Sequence, residues 1–336
     1  MALCIIRLVV RCRDCVVDRR NFLLDVAPAI GLSPLVFAGG KQSSFGDLGG
    51  EQNVENKSAP SASDVGVSHM TDIPLSPDTK IAVERRGQIV LIAINRPQMF
   101  NRIDPETFYG LAKAYYDFDN DPTLRAAVLV GHGEHFSRGN DVDAFSALAK
   151  SGKAFTLGVG QLDPLGRAQK LSKPLVAVAH GDTWNMGHEL HLNADIRVAS
   201  ADVRFRQTEN AYGRVPGVAP VRWPREVGWA NAMRYLLTGD PWDAETAYRM
   251  GVVQEVAPNK TAALEAAIGI ANRIAACGPL GIKATLQVAH FAINDAADAA
   301  GYAKLEAAYV SLFRSEDLIE GRKAEAENRA PIFHGR

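Results

Sequence analysis

Two glutamates, Glu189 and Glu209, are the residues whose type and setting best suit chemistry. Glu189 follows a glycine-containing turn, Asn185–Gly187, and Glu209 ends the segment Phe205–Glu209. Two carboxyl groups can pass protons to and from a substrate, and free backbone N–H groups at the start of a helix can hold a developing negative oxygen. The pattern therefore predicts acid–base catalysis through an oxyanion, provided that the fold brings the two glutamates together.

Buried strands and a short helix are expected to position these glutamates. The apolar runs Leu175–Val178 and Ile196–Ala199 predict two buried strands, and the glycine turn opens a helix over Gly187–Leu192. Each glutamate lies beyond one of these strands, where side chains from neighbouring strands converge. We therefore expect one pocket that contains both carboxyl groups.

A similar order of elements occurs upstream. Ile81–Glu84 and Ile89–Ile94 flank a glycine turn and predict a β-hairpin. Asp104 followed by Pro105 is a favourable helix start, and Ala126–Val130 predicts a short buried strand. The recurring order of strand, strand, helix and strand indicates an α/β fold.

From Thr261 onward the sequence has helical periodicity. Four alanine-rich helices are predicted: Ala262–Ala276, Gly281–Asn294, Ala296–Phe313 and Glu316–Asn328. Such helices usually pack against another surface, which here is either the core or a neighbouring subunit. We therefore divide the chain into a core over residues 70–260 and a helical region over residues 261–336.

Residues 1–69 differ in composition from the rest of the chain. Glycine pairs and the Ser/Ala/Pro run Ser58–Ser63 are typical of flexible, poorly packed chain. We expect this extension to be disordered or mis-assigned, with translation starting at Met70. The pair Arg19-Arg20 before an apolar segment keeps a twin-arginine export signal as the alternative, although acidic and proline residues interrupt that segment.

Composition argues against several classes of function. The 336 residues are 47% apolar and 22% charged with a formal net charge of −1, which gives no reason to expect nucleic acid or an anionic membrane as a partner. No apolar run reaches the roughly 18 residues of a membrane-spanning helix. Four cysteines form no disulfide framework and suit a reducing compartment, so a cytoplasmic location is expected.

Several segments of the chain occur in a characteristic order and spacing. They are Asn95–Pro97, Phe136–Asp141, Gly181–Glu189, Phe205–Glu209, Pro216-Gly217, Leu237–Glu245, Met250–Val256 and Arg329–Gly335. Over Ile81–Arg336 this arrangement resembles the enoyl-CoA hydratase/isomerase (crotonase) superfamily. Each motif alone is weak evidence, whereas their combined order and spacing are specific.

The resemblance implies a fold, a substrate and a set of site residues. The fold would be a crotonase-type spiral of ββα units with a C-terminal helical oligomerisation region, assembled as a homotrimer or a dimer of trimers. The substrate would be an acyl-CoA thioester, with coenzyme A as part of the substrate and no further cofactor. The thioester oxygen would accept hydrogen bonds from the backbone N–H groups of Asn140 and Met186. Further substrate-binding positions are Gly139, Asp141, Gly187 and Gly217, together with Trp184, which lines either an acyl pocket or the core.

Within this superfamily, the presence of both glutamates favours hydration. Glu209 would exchange the proton at C2 and Glu189 would activate the water that attacks C3, so that water adds syn across the double bond of a 2-enoyl-CoA. Isomerases usually need only the glutamate at the position of Glu209. Isomerisation, decarboxylation and thioester hydrolysis are the alternatives within the family, and a non-catalytic oligomer that binds acyl-CoA is the alternative outside catalysis.

Some residues depart from the family pattern. Asn185 and Met186 stand where relatives usually have glycines, Arg138 replaces a small residue, and Arg206 replaces a glycine. These changes suggest an altered acyl pocket. A metal site is not expected, because the histidines at 188 and 191 are three positions apart rather than the four of the helical zinc motif.

Overall fold

The computed structural model describes residues 79–293, 310, 313–329 and 331–332. The extension over residues 1–69, the start at Met70 and the export signal lie outside these residues, as does most of the third predicted C-terminal helix. The proposed division of the chain into core and helical region stays a prediction. None of the helices in the described part has the length and apolar character of a membrane span.

A six-stranded sheet forms the centre of the fold. Its strands, numbered in chain order and given in spatial order, are β1 (Ile81–Arg86), β2 (Ile89–Ile94), β3 (Ala126–Gly131), β4 (Leu175–Ala179), β6 (Ile196–Ser200) and β9 (Glu255–Ala257). β1 and β2 form the expected antiparallel hairpin, and the other neighbours pair in parallel. The predicted strands at residues 81–84, 89–94, 126–130, 175–178 and 196–199 are therefore present.

A second, three-stranded sheet carries the chain into the region of the glutamates. It contains β5 (Asp182–Trp184), β7 (Arg204–Arg206) and β8 (Trp242–Asp243), with β7 in the middle. β5 and β7 are parallel, and β8 is antiparallel to β7. The sequence patterns did not predict these strands, because two or three residues are too few to show an alternating pattern.

Alternation of side chains along β2 fills two apolar layers. On one face, Val90, Ile92 and Ile94 pack with residues of α1 (Pro105–Asn120). On the other face, Ile89, Leu91 and Ala93 pack with α7 (Lys260–Ala275). Both faces of the sheet are therefore covered by helices, as continuous apolar strands require.

The remaining helices lie around these two sheets. They are α2 (Val142–Lys150), α3 (Met186–Leu192), α4 (Ala219–Val227), α5 (Trp229–Thr238), α6 (Ala244–Arg249), α8 (Pro279–Ile293) and α9 (Glu316–Ala326). A third apolar cluster joins α4 and α5 to the small sheet, with Phe205, Trp223 and Trp242 at its centre. This cluster packs against the small sheet and holds it in place.

The first C-terminal helix packs on the central sheet. α7 begins two residues before the predicted start at Ala262, because the side chain of Asn259 caps it by accepting from the N–H of Ala262. Its buried residues Ala263, Leu264, Ala267 and Ala271 meet β3, β4 and β6. Small side chains at these positions let the helix lie close to the sheet.

We expect Ala267→Leu to destabilise the protein. Ala267 is fully buried between α7 and the sheet, so a larger side chain must displace its neighbours, at a cost of about 1–3 kcal/mol. Urea unfolding measures the free energy of unfolding, and Glu265→Leu at an exposed position of the same helix is the matched control, with a change of less than about 0.5 kcal/mol. Equal free energies for the two variants would contradict this packing.

Candidate active site

The parallel pairing of β5 and β7 brings the two glutamate-bearing segments together. Trp184 lies opposite Arg206, and the N–H of Asn185 donates to the carbonyl oxygen of Arg206 at 2.8 Å. The chain leaves both strands in the same direction, toward Glu189 on one side and Glu209 on the other. The glutamates therefore follow the short strands of the second sheet, not the long apolar strands from which their positions were first predicted.

Glu189 is held inside the protein by backbone N–H groups. It lies on α3, is 2% exposed, and its Oε1 accepts from the N–H of Ala219 at 3.2 Å. Burial raises the pKa of Glu189 to about 7, and the N–H groups of Ala219, Val218 and Gly217 offset part of this shift. Gly217, a predicted substrate-binding residue, leaves room for the carboxyl group, because a Cβ at this position would overlap it.

Glu209 immediately precedes a 3-10 turn, Asn210–Tyr212, and is half-buried. Its Oε2 atom is buried and has no hydrogen-bond partner in the part of the chain that the structure describes. Burial and the charge of Glu189 raise the pKa of Glu209 to about 8. A carboxyl group that has a raised pKa and one oxygen without a described partner can give a proton to a bound molecule or take one from it.

The two predicted oxyanion donors lie on segments that touch. The N–H of Trp184 donates to the carbonyl oxygen of Ser137 at 2.9 Å, and a Cβ at Gly139 would lie 3.2 Å from the backbone nitrogen of Met186. Gly139 has φ 84°, a conformation that glycine adopts without strain. Within the described residues, the N–H groups of Asn140 and Met186 donate to no protein acceptor. Both are therefore available to an oxygen placed between them.

The first two residues of α3, Met186 and Gly187, fit the close contact between this helix and the segment at Ser137. A Cβ at Gly187 would lie 2.5 Å from the carbonyl oxygen of Ser137, so the close approach needs a glycine. The side chain of Met186 is 9% exposed and belongs to the same apolar cluster as Leu190 and Val218. Its bulk is therefore accommodated among core residues.

Asp141 and Trp184 have different surroundings. The carboxylate of Asp141 caps α2 by accepting from the N–H of Ala144 at 3.3 Å and lies 3.5 Å from Nη2 of Arg96. This carboxylate is already bonded to protein groups. Trp184 is half-buried at the end of β5, and its indole Nε1 has no partner among the described residues.

Arg138 and Arg206, two departures from the family pattern, are anchored within the protein. Nε and Nη2 of Arg138 both lie 2.6 Å from Oδ2 of Asp182, and its guanidinium lies over the rings of Phe100 and Trp184. Nε of Arg206 donates to the carbonyl oxygen of Gly239 at 2.8 Å. Asp182 therefore balances the charge of Arg138, and a backbone carbonyl group fixes the position of Arg206.

The histidines of α3 are buried and neutral. Burial lowers the pKa of His188 to about 3 and that of His191 well below its ordinary value. His188 Nδ1 lies 2.8 Å from Nε2 of Gln207, and its ring packs against Phe205 and Trp223. In residues 79–293, 310, 313–329 and 331–332, no group of three or more His, Cys, Asp or Glu residues is arranged to hold a metal ion.

Helix α9 contacts both halves of the site, which the sequence did not predict. Arg214 pairs with Glu325 at 3.1 Å, and these charges act on Glu209 with opposite signs, since Arg214 lowers its pKa and Glu325 raises it. Gly321 of α9 lies directly against the carbonyl group of Tyr212. A glycine inside a predicted helix is the sequence signal that points to such a close approach.

The same helix reaches α2, which follows the predicted donor Asn140. Nη1 of Arg322 donates to Oγ of Ser146 at 3.0 Å, and its Nη2 lies 3.2 Å from Oδ1 of Asp143. α9 therefore bridges the segment with the N–H donors and the segment with Glu209.

The chain is similar to known proteins of one family. The sequence model of the family "Enoyl-CoA hydratase/isomerase" matches residues 84–336. The chain is 32% identical over 275 residues to an enoyl-CoA hydratase of Mycobacterium tuberculosis, covering 80% of this chain and 100% of that protein. It is 33% identical over 257 residues to (E)-benzylidenesuccinyl-CoA hydratase of Thauera aromatica (76% and 99% covered). It is 34% identical over 260 residues to carnitinyl-CoA dehydratase of Salmonella typhi (75% and 97% covered).

Solved structures have the same fold. A probable enoyl-CoA hydratase/isomerase from Mycobacterium abscessus is 37% identical with a TM-score of 0.62, covering 77% of this chain and 99% of that one. Carnitinyl-CoA hydratase from Mycobacterium avium is 28% identical with a TM-score of 0.68 (76% and 99% covered). The chain therefore belongs to the enoyl-CoA hydratase/isomerase family, and the predicted crotonase fold is confirmed. It is an enzyme of the hydratase or isomerase type.

We expect Glu325→Gln and Arg214→Gln to shift the pKa of Glu209 in opposite directions. Glu325→Gln removes a negative charge and should lower this pKa, whereas Arg214→Gln removes a positive charge and should raise it. NMR of ¹³C-labelled glutamate measures the pKa, with Glu209→Gln to assign the signal. Glu327→Gln, which removes a carboxylate paired with Arg329 on the outside, is the matched control. Shifts of the same sign in both variants would contradict the arrangement.

We expect Gly321→Ala to separate α9 from the turn at residues 210–212, because the new Cβ meets the carbonyl group of Tyr212. Amide hydrogen exchange over residues 209–214 should become faster. Gly269→Ala in α7 is the control, since its Cβ meets only the end of the Arg273 side chain at 3.6 Å and should stabilise the helix by about 0.5–1 kcal/mol. Unchanged exchange in Gly321→Ala would show that α9 does not hold this turn.

Proposed function

We propose that this protein is an enoyl-CoA hydratase, which adds water syn across the C2–C3 double bond of a 2-enoyl-CoA. One observation carries the proposal: two buried carboxyl groups, Glu189 and Glu209, influence each other's charge and have raised pKa values. Glu189 lies on the helix that begins at Met186, whose backbone N–H has no protein acceptor in the described residues. Thr208, the residue before Glu209, is hydrogen-bonded to Asn185, the residue before Met186. An isomerase would need only one of these carboxyl groups.

The N–H groups of Asn140 and Met186 serve as the oxyanion donors. They hold the thioester oxygen while negative charge develops on it, which makes C3 open to attack. Removing one such donor typically costs about 3–4 kcal/mol of transition-state stabilisation. Because the donors are backbone groups, their position depends on Gly139 and Gly187, which permit the close approach of the two segments.

The two carboxyl groups share the proton transfers. Glu189, as the carboxylate, takes a proton from water, and the water oxygen forms a bond to C3. The electrons of the double bond pass to C2 and the thioester, and Glu209, as the acid, gives its proton to C2. The two carboxyl groups hold one proton before and after the addition of water. This proton ends on Glu189 and must return to Glu209 before the next turnover. This route requires no metal or redox group, because the thioester supplies the activation.

The raised pKa values suit this division of roles. Two carboxyl groups that interact lose their protons in two steps, so there is a pH range in which the pair carries one proton. The proposed roles place this proton on Glu209. Activity is therefore expected to fall at low pH, where both groups are protonated, and at high pH, where both are ionised.

We expect both Glu189→Gln and Glu209→Gln to lose hydration by about a hundredfold to ten-thousandfold, because each removes one proton-transfer group. The assay follows loss of the conjugated enoyl-thioester absorbance of crotonyl-CoA with the full-length protein. The wild-type pH profile should be bell-shaped, with its limbs above the ordinary carboxyl range. Glu265→Gln, at an exposed position of α7, is the control variant.

The alternatives give different results in the same experiment. Loss of activity only in Glu209→Gln, with migration of the double bond instead of hydration, would make the protein an isomerase. Binding of acyl-CoA without any conversion would make it a non-catalytic binding protein. Two relatives are named for carnitinyl-CoA and benzylidenesuccinyl-CoA, so these acyl groups belong in the substrate panel. A trimeric assembly and a cytoplasmic location remain predictions.

A further inference from the structure

We infer that Asn185 is a positioning residue whose side chain locks the oxyanion donor Met186 to the segment that carries Glu209. The inference rests on the proposed roles of Met186 and Glu209. Asn185 immediately precedes Met186, and the resemblance predicts only that it alters the acyl pocket. Its hydrogen bonds indicate a structural role.

The backbone of Asn185 has an unusual conformation. Its φ is 52° and its ψ is −125°, in the region that glycine occupies readily and other residues rarely do. Asparagine is among the residues that tolerate a positive φ best, but the conformation still needs support from the surroundings. The hydrogen bonds of its side chain provide that support.

The side chain of Asn185 is clasped to Thr208, the residue before Glu209. The N–H of Thr208 donates to Oδ1 of Asn185 at 2.8 Å, and Nδ2 of Asn185 donates to Oγ1 of Thr208 at 3.0 Å. Oγ1 of Thr208 also lies 3.2 Å from Oδ1 of Asn185. Thr208 is 6% exposed, so these bonds are shielded from water.

The backbone of the same residue is bonded to both segments. The N–H of Asn185 donates to the carbonyl oxygen of Arg206 at 2.8 Å, and its own carbonyl oxygen accepts from the N–H of Glu189 at 3.0 Å. Met186 is the next residue in the chain. Asn185 therefore connects three groups of the proposed mechanism: the Met186 donor, Glu189 and, through Thr208, Glu209.

This clasp fixes the distance between the place where oxyanion charge develops and the acid that protonates C2. A glycine at position 185 would adopt the same backbone conformation and keep the backbone bond to Arg206, but it would lose the side-chain bonds to Thr208. Catalytic groups that are misplaced by about 1 Å lose up to about a hundredfold in rate. The clasp also keeps the segment packed, and burial is the main cause of the raised pKa of Glu209.

Two variants test the clasp from its two ends. Asn185→Gly removes the side-chain bonds and relieves the backbone strain, and Thr208→Val removes the hydroxyl group with little change in shape. In both, kcat should fall by about tenfold to a hundredfold with a smaller change in KM, because the lost contact acts on the geometry of the transition state. The pKa of Glu209, measured by ¹³C NMR, should move down toward the ordinary glutamate value of 4.5 as the segment becomes hydrated.

Matched controls separate positioning from general stability. Thr208→Ser keeps the hydroxyl group and should retain most of kcat and the high pKa of Glu209. Thr183→Val removes a buried hydroxyl on β5 that donates to the carbonyl oxygen of His180 at 3.5 Å, and it should leave both readouts unchanged. If Asn185→Gly does not fold, Thr208→Val decides the question.

The pKa readout does not depend on turnover, so failure of the proposed reaction and failure of the clasp are distinguishable. A wild-type protein without hydratase activity would overturn the proposed reaction and leave the pKa comparison intact. A lower pKa of Glu209 in Thr208→Val but not in Thr208→Ser supports the clasp. A pKa of Glu209 that is unchanged or higher in Thr208→Val overturns it, whatever happens to stability.

Discussion

The site depends on the parallel pairing of β5 and β7, two strands of three residues each. This pairing sets Trp184 beside Arg206 and fixes where the following segments begin. Pairing shifted by one residue would turn each side chain to the other face of the small sheet. The aromatic cluster around Phe205 and Trp242 resists such a shift, because it gives β7 one buried face. Apolar packing against the small sheet therefore determines where the two glutamate-bearing segments that follow its strands lie.

The buried carboxyl groups have a cost that follows from their raised pKa values. In the unfolded chain both carboxyl groups ionise near the ordinary glutamate value of 4.5, whereas in the folded protein their pKa values are about 7 and about 8. Their contribution to stability is therefore fully present below about pH 4.5 and declines as the pH rises through the folded-state values. The backbone N–H groups around Glu189 reduce this cost, and Glu209, with an unpaired oxygen, has less relief. The raised pKa values that suit proton transfer therefore also lower the stability of the folded protein at neutral pH.

The sequence predicted the large elements better than it predicted which strands lead to the two glutamates. The hairpin at residues 81–94, the cap at Asp104 and the long apolar strands have strong local patterns, and the structure contains them. The small sheet was missed because its strands are too short to show a pattern. The docking of α9 was missed because it depends on single long-range contacts, such as Gly321 against Tyr212. A glycine inside a helix indicates a close approach but does not identify the partner. The roles of Glu189 and Glu209 rest on the resemblance and on the proposed experiments.

The contacts of α9 also bear on how the protein folds. Arg322 bonds to Ser146, which lies 176 positions earlier in the chain, and to Asp143, which lies 179 positions earlier. Contacts between such distant residues tend to form late, since the chain must close a long loop before it gains from them. A folding intermediate can therefore have a complete central sheet and still lack a finished site. Recovery of activity after refolding would then lag behind recovery of secondary structure, and the delay would report the docking of a single helix.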